Sequence, residues 1–128
     1  PLTLQFFHYR DIEERSAGGC YDAGVLEVST DGGSNWAAIP DVAMQTDPYT
    51  GAIQSGNVLV GRNGWCNLKN WTRSVVDIDA YAGQTARFRF RLTSDGSVGA
   101  EGWYIDDVRV QSCSTSASPD AVFRNGFE

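Results

Sequence analysis

The chain has one histidine, one methionine and only three cysteines, and none of its apolar runs extends beyond a few residues. Each scarcity excludes something. A helix needs roughly 20 consecutive apolar residues to cross a bilayer, so no helical membrane span is written here. With His8 alone, a Ser-His-Asp or Cys-His mechanism would have to run through a residue in an opening strand pattern, with no nucleophile motif beside it. Zinc takes three or four His or Cys ligands, and His8 with the scattered Cys20, Cys66 and Cys113 lacks any such spacing. Positive charge is also short. Ten Lys and Arg stand against 16 Asp and Glu, a formal net charge of -6. That balance repels phosphate backbones and anionic lipid, which argues against nucleic acid as a partner and leaves carboxylates for hard cations.

What is present reads as one globular domain. Its 128 residues are 41% apolar and 12% aromatic, enough for a sizeable core in a single unit. No stretch has a convincing helical period. Period-2 runs separated by Gly, Asn and Asp clusters predict strands over 2–9, 24–30, 58–62, 71–78, 85–92 and 101–111. Asp31-Gly32-Gly33 turns the second run into a partner strand over 35–39, and 40–57 is a long polar connection. In TARFRFRL, Ala86, Phe88, Phe90 and Leu92 face one way and Arg87, Arg89 and Arg91 the other, the pattern of a sheet with one buried face. The expected fold is an all-β, two-layer antiparallel β-sandwich of jelly-roll type spanning 1–113. After Cys113 a polar STSASPD linker leads to AVFRNGFE, so 114–128 is expected to be a tail. Its Phe123 and Phe127 either dock on a neighbour as a recognition or sorting signal or simply fray.

Cys20 and Cys66 sit in Gly-flanked loops, GGCYD and NGWCN, and are the expected disulfide. Such a bridge suits an oxidising compartment and leaves Cys113 free or bonded to a segment upstream. The opening Pro1, directly before a strand-like run, reads as the start of a processed piece of something longer.

The segment EGWYIDDVRV, 101–110, sets two adjacent carboxylates in an apolar and aromatic strand pattern. Alternation puts Asp106 with Tyr104, Val108 and Val110, and Asp107 with Trp103, Ile105 and Arg109. One carboxylate is therefore expected to point into the core. A buried carboxylate needs a cation or several hydrogen bonds. A bound Ca2+ at Asp106 is the expectation; the plainer alternative is a set of backbone amides or an arginine. Among the tryptophans, Trp36 and Trp103 lie in strong strand patterns and are assigned to packing. Trp65 and Trp71 flank the polar NGWCNLKNW loop and, with Arg62 and Lys69, form the candidate ligand-binding surface. The arginines 87, 89 and 91 either meet an acidic partner or form a solvated sheet face.

Three motifs in order, FFHYRDIE, YDAGVLEVSTDGGSNW and TARFRFRLTSDGSVGAEGWYIDDVRV, carry a resemblance. Together they resemble the MAM-like, concanavalin-like jelly-roll modules attached to secreted bacterial peptidases, including those of the immune inhibitor A type. Through the YIDDV strand the chain is also similar to jelly-roll carbohydrate-binding modules. The closing PDAVFRNGFE resembles a short tail recurrent in exported bacterial proteins. The resemblance implies a calcium ion where the last strand passes an early loop, held by Asp106, Asp22 and either Glu13 or Glu14, with carbonyls and water completing six to eight oxygens. It also implies a further strand before the FFH run. It implies a non-catalytic, calcium-stabilised accessory module of an exported hydrolase, a peptidase first. Such a module would be secreted or at the cell surface, binding a polysaccharide or protein substrate or packing on the catalytic domain or an upstream segment of the same precursor. The alternative is a carbohydrate-binding or adhesion module of a cell-surface protein.

Overall fold

The computed structural model describes residues 1–112, so Cys113 and the tail 114–128 lie outside the described residues. Among the described residues there are eight strands: β1 (Leu2–Ile12), β2 (Ala23–Ser29), β3 (Ala37–Ala38), β4 (Gly51–Ala52), β5 (Asn63–Gly64), β6 (Asn67–Asp77), β7 (Arg87–Thr93) and β8 (Gly102–Ser112). They form an antiparallel sheet ordered β6-β1-β8, a second ordered β3-β2-β7, and a small β4-β5 ribbon. The two larger sheets face each other as an all-β sandwich. Among the described residues no helix is long and apolar enough to cross a membrane.

The alternation in β1 decides which residues make the core. Its even-numbered residues from Leu4 to Ile12 are all buried, while Phe7 is exposed and the remaining odd ones are half-buried. Leu4 and Phe6 pack against Leu26 and Val28 of β2 together with Trp65, Val76 and Ile78. A second cluster, Ile12, Ala23, Val25, Ile53 and the Cys20–Cys66 pair, closes the end where the long loops gather. All seven residues of β2 are buried. Leu26 and Val28 face the other sheet, while Ala23 and Val25 are covered by Ile53, Leu59 and Cys66 and Glu27 by Arg62 of the long connection, so its simple alternation does not translate into a wet face.

Other expectations are corrected. Val58–Arg62 is a run of turns rather than a strand; Asn57 organises it by accepting the amide of Leu59 and donating to the carbonyl of Tyr21. β7 pairs only with β2 among the described strands, so Phe88 and Phe90 are half-buried and Leu92 is exposed instead of sealed in the core. Cys20 and Cys66 are joined as expected, with Cα atoms 5.7 Å apart.

The ring of Trp103, entering from β8, lies flat against the backbone of Gly24. A Cβ at Gly24 would stand 2.7 Å from that ring. Gly24→Ala is therefore expected to destabilise the fold by about 1–3 kcal/mol through overpacking, read as a lower denaturation midpoint.

Candidate metal centre

β2 and β7 run antiparallel with Ala23 opposite Thr93. The residue before one strand and the loop after the other must therefore lie side by side, and Asp22 and Asp95 occupy those places. The chain leaving β1 passes the same point, where the carbonyl of Glu13 accepts the amides of Tyr21 and Asp22. Three carboxylates thus converge: one oxygen each from Glu13, Asp22 and Asp95 lies within 4.8 Å of the others.

Asp22 is buried, and its Oδ1 accepts the Asp95 amide at 3.0 Å. The Asp95 carboxylate is held below its ordinary range by the amide and hydroxyl of Ser97. Glu13 is the strained member. Burial, followed by the charges of Asp95 and Asp22, pushes its carboxyl up, and its Oε1 is buried with no hydrogen-bond partner. A desolvated oxygen facing two like charges is stabilised either by a proton or by a cation. The donor set is all oxygen and doubly acidic or more, which suits a hard divalent ion of the calcium kind.

Of the residues expected at this centre, the structure assembles Glu13 and Asp22 and adds Asp95. Glu14 is exposed, in a bridge opposite Cys20. Asp106 is corrected: it is exposed on the outer face of β8, and the inward residues of that strand are Trp103 and Ile105. Asp95 was readable only as part of the SDGS turn; the missing information was that the turn after β7 abuts the start of β2.

The candidate ligand-binding set separates. Trp65 is corrected to a fully buried core residue, its Nε1 donating to the Asp47 carbonyl at 2.8 Å and its ring against Phe6, His8, Tyr49 and Trp103. Arg62 turns inward to Glu27 Oε2 at 2.8 Å, and Arg89 meets Oε1 at 2.6 Å with Arg91 3.6 Å from Oε2. Burial pushes Glu27 up, but its bonds to Arg62 and Arg89 outweigh this and hold it ionised. Arg89 and Arg91 of β7 thus meet an acid of their own chain, while Arg87 is exposed. Lys69 and Trp71 are exposed as expected.

His8 is fully buried beneath these elements. Trp103 Nε1–H is a donor only, and it donates to His8 Nδ1 at 3.0 Å, so the proton of His8 is on Nε2. That nitrogen faces both Asp47 Oδ2 at 2.8 Å and Ser74 Oγ at 2.9 Å. A hydrolytic triad needs the acid on one ring nitrogen and the hydroxyl on the other. Here both contend for the same one, out of reach of substrate.

The chain is similar to segments of bacterial peptidases. It is 33% identical over 107 residues to Bacillopeptidase F of Bacillus subtilis, an alignment covering 84% of this chain and 6% of that protein. It is 39% identical over 41 residues to the pre-pro-metalloprotease PrtV of Vibrio cholerae, covering 32% of this chain and 4% of that one. The chain therefore spans well under a tenth of the length of these relatives. No family model and no solved structure matches it.

Proposed function

We propose that this chain is a non-catalytic accessory module of an exported bacterial peptidase, stabilised by one calcium ion held by Glu13, Asp22 and Asp95. The observation that carries the metal is Glu13 Oε1, buried without a partner beside two further carboxylates. The ion would be structural. It would tie the chain leaving β1, the entry to β2 and the exit from β7 at one point, with carbonyls and water completing its shell. The accessory role is supported by the similarity to small parts of long peptidases and by a His8 whose nitrogens are both engaged inside the core. The Cys20–Cys66 bridge fits export into an oxidising compartment. In that role the module either binds the protein substrate or packs on the catalytic domain of the same precursor.

Thermal denaturation tests the metal. Calcium at about 100 times its dissociation constant is expected to add about 2.7 kcal/mol, and EDTA to remove it. Asp95→Asn is expected to abolish the calcium response while leaving the metal-free midpoint nearly unchanged. A midpoint indifferent to calcium and chelator overturns the assignment.

A further inference from the structure

The outer face of the β6-β1-β8 sheet carries aromatic side chains that take no part in the core. Trp71, Tyr9 and Tyr104 form a row across the three strands, with the Tyr9 ring 6.2 Å from Trp71 and 5.9 Å from Tyr104. Phe7 stands beside them, paired across the sheet with Asp106 and Arg73. Trp71, Tyr104 and Phe7 are 51%, 48% and 39% exposed. Single exposed rings are ordinary, but neighbouring rings on one sheet face mark an interaction surface.

Beside this row β8 is irregular. The register with β1 shifts between Gln5 and Phe7, and Asp107 takes a left-handed backbone with φ 57°. A bulge of this kind re-aims side chains, and an aspartate held in that conformation is an outlier that asks for a purpose. Its effect is that two successive carboxylates, Asp106 and Asp107, line one shallow notch of about 250 Å³ together with Phe7 and Trp71. Both acids remain available. Asp106 Oδ1 accepts the amide of Asp107 at 2.8 Å, and Asp107 meets Arg109 at 3.7 Å with both side chains more than half exposed.

Ring faces attract an ammonium or guanidinium, and carboxylates pair with it by charge-assisted hydrogen bonds. Two of each around one notch, on a chain of net charge -6, complement an organic cation and repel an anion. A neutral sugar could stack on the rings and donate its hydroxyls to the carboxylates, but only a cation gains from the charge of two adjacent acids. We propose that this notch binds a lysine or arginine side chain of a polypeptide, so that the module holds basic segments of a protein substrate. The identity of the polypeptide as substrate rests on the peptidase-accessory reading; the cation chemistry of the notch does not.

The test is a fluorescence-anisotropy titration of the full chain with a labelled, alternating Gly-Lys octapeptide and with the same peptide acetylated on its lysines. The lysine peptide is expected to bind at least tenfold more tightly than the acetylated one. Trp71→Ala is expected to weaken it about threefold to tenfold, the loss of one cation–ring contact. The double change Asp106→Asn with Asp107→Asn is expected to weaken it at least as much. Should that pair fail to fold, Asp107→Gly keeps the left-handed backbone, removes one carboxylate and is expected to weaken binding in the same direction. Equal binding of the two peptides overturns the proposal. So do variants that bind like the parent chain, which would assign the peptide to diffuse negative charge, and so does binding of an N-acetylglucosamine hexamer to this face in place of the peptide. The accessory reading fails by a different observation: deleting the module from its precursor and finding protein-substrate turnover unchanged, whatever the isolated notch binds.

Discussion

Asp47→Ala is expected to cost the domain about 3–5 kcal/mol, because it leaves a guanidinium buried without its counter-charge. Arg10 is 1% exposed and grips both oxygens of Asp47, Nη1 to Oδ2 at 2.8 Å and Nη2 to Oδ1 at 3.2 Å. The same Oδ2 accepts from His8, so one substitution breaks the network that links the long connection to β1. Asp47 also has φ 51°, a left-handed backbone that asparagine tolerates better than alanine. Asp47→Asn therefore separates backbone strain from lost charge and should still lose most of the stability. If charge is the cause, pairing Asp47→Ala with Arg10→Met should recover a large part of it. The pH dependence has a definite sign. Burial pushes the Asp47 carboxyl up, but the hydrogen bonds from His8 and Arg10 and the charge of Arg10 outweigh burial and hold it far below the usual carboxylate range. A depressed carboxylate contributes its full stability above the unfolded-state value, about 3.9 for an aspartate, and loses it as pH falls further. Urea denaturation at pH 7 and pH 3 should show the parent chain weakening on acidification and the Asp47→Ala chain weakening less. Equal acid loss in both would sink this account.

Opening the Cys20–Cys66 bridge is expected to cost about 4 kcal/mol, the loop-closure entropy of a bridge spanning 46 residues. Cys20 sits in the loop before β2 and Cys66 just before β6, so the bridge pins the long connection and the β4-β5 ribbon to the sandwich. Both half-cystines are buried among Ile12, Ala23, Val25 and Ile53. A Cys20→Ser, Cys66→Ser double variant would add the penalty of two buried hydroxyls, so the cleaner comparison is denaturation with and without dithiothreitol. An unchanged midpoint under full reduction would show that packing alone holds these loops.

Much of the sandwich was legible because its strands carry opposite faces in alternate residues. Phe6 and His8 against Phe7 and Tyr9 declare the first strand, and Val25 to Val28 declare the second. The bridge was legible too, from two cysteines in glycine-flanked loops. The site was only half legible. Asp22 and Glu13 stand where the YD motif and the acidic run after FFH place them. Asp95 required knowing that β2 and β7 are partners, which no local pattern encodes. Asp106 was assigned to the wrong side because both faces of 103–110 contain apolar residues, so alternation alone leaves the inward face open. Tertiary contact decides it: Trp103 packs on Gly24 and bonds His8, and that fixes the phase of the strand. Val58–Arg62 shows the converse case, where a short apolar run reads as a strand although its amides are satisfied by turns.

Asp107 acts on β8 as an inserted beat acts on a rhythm. Ahead of it, Tyr104 and Asp106 share the side of Tyr9 and Phe7; beyond it, Val110 stands opposite the inward Leu4 and Arg109 opposite Gln5. Deleting that residue outright would leave the downstream valines where they are. Exchanging it for a branched side chain that refuses its backbone angle would straighten the strand and slip its register by one, setting Val110 opposite Thr3 and Arg109 opposite the inward Leu4.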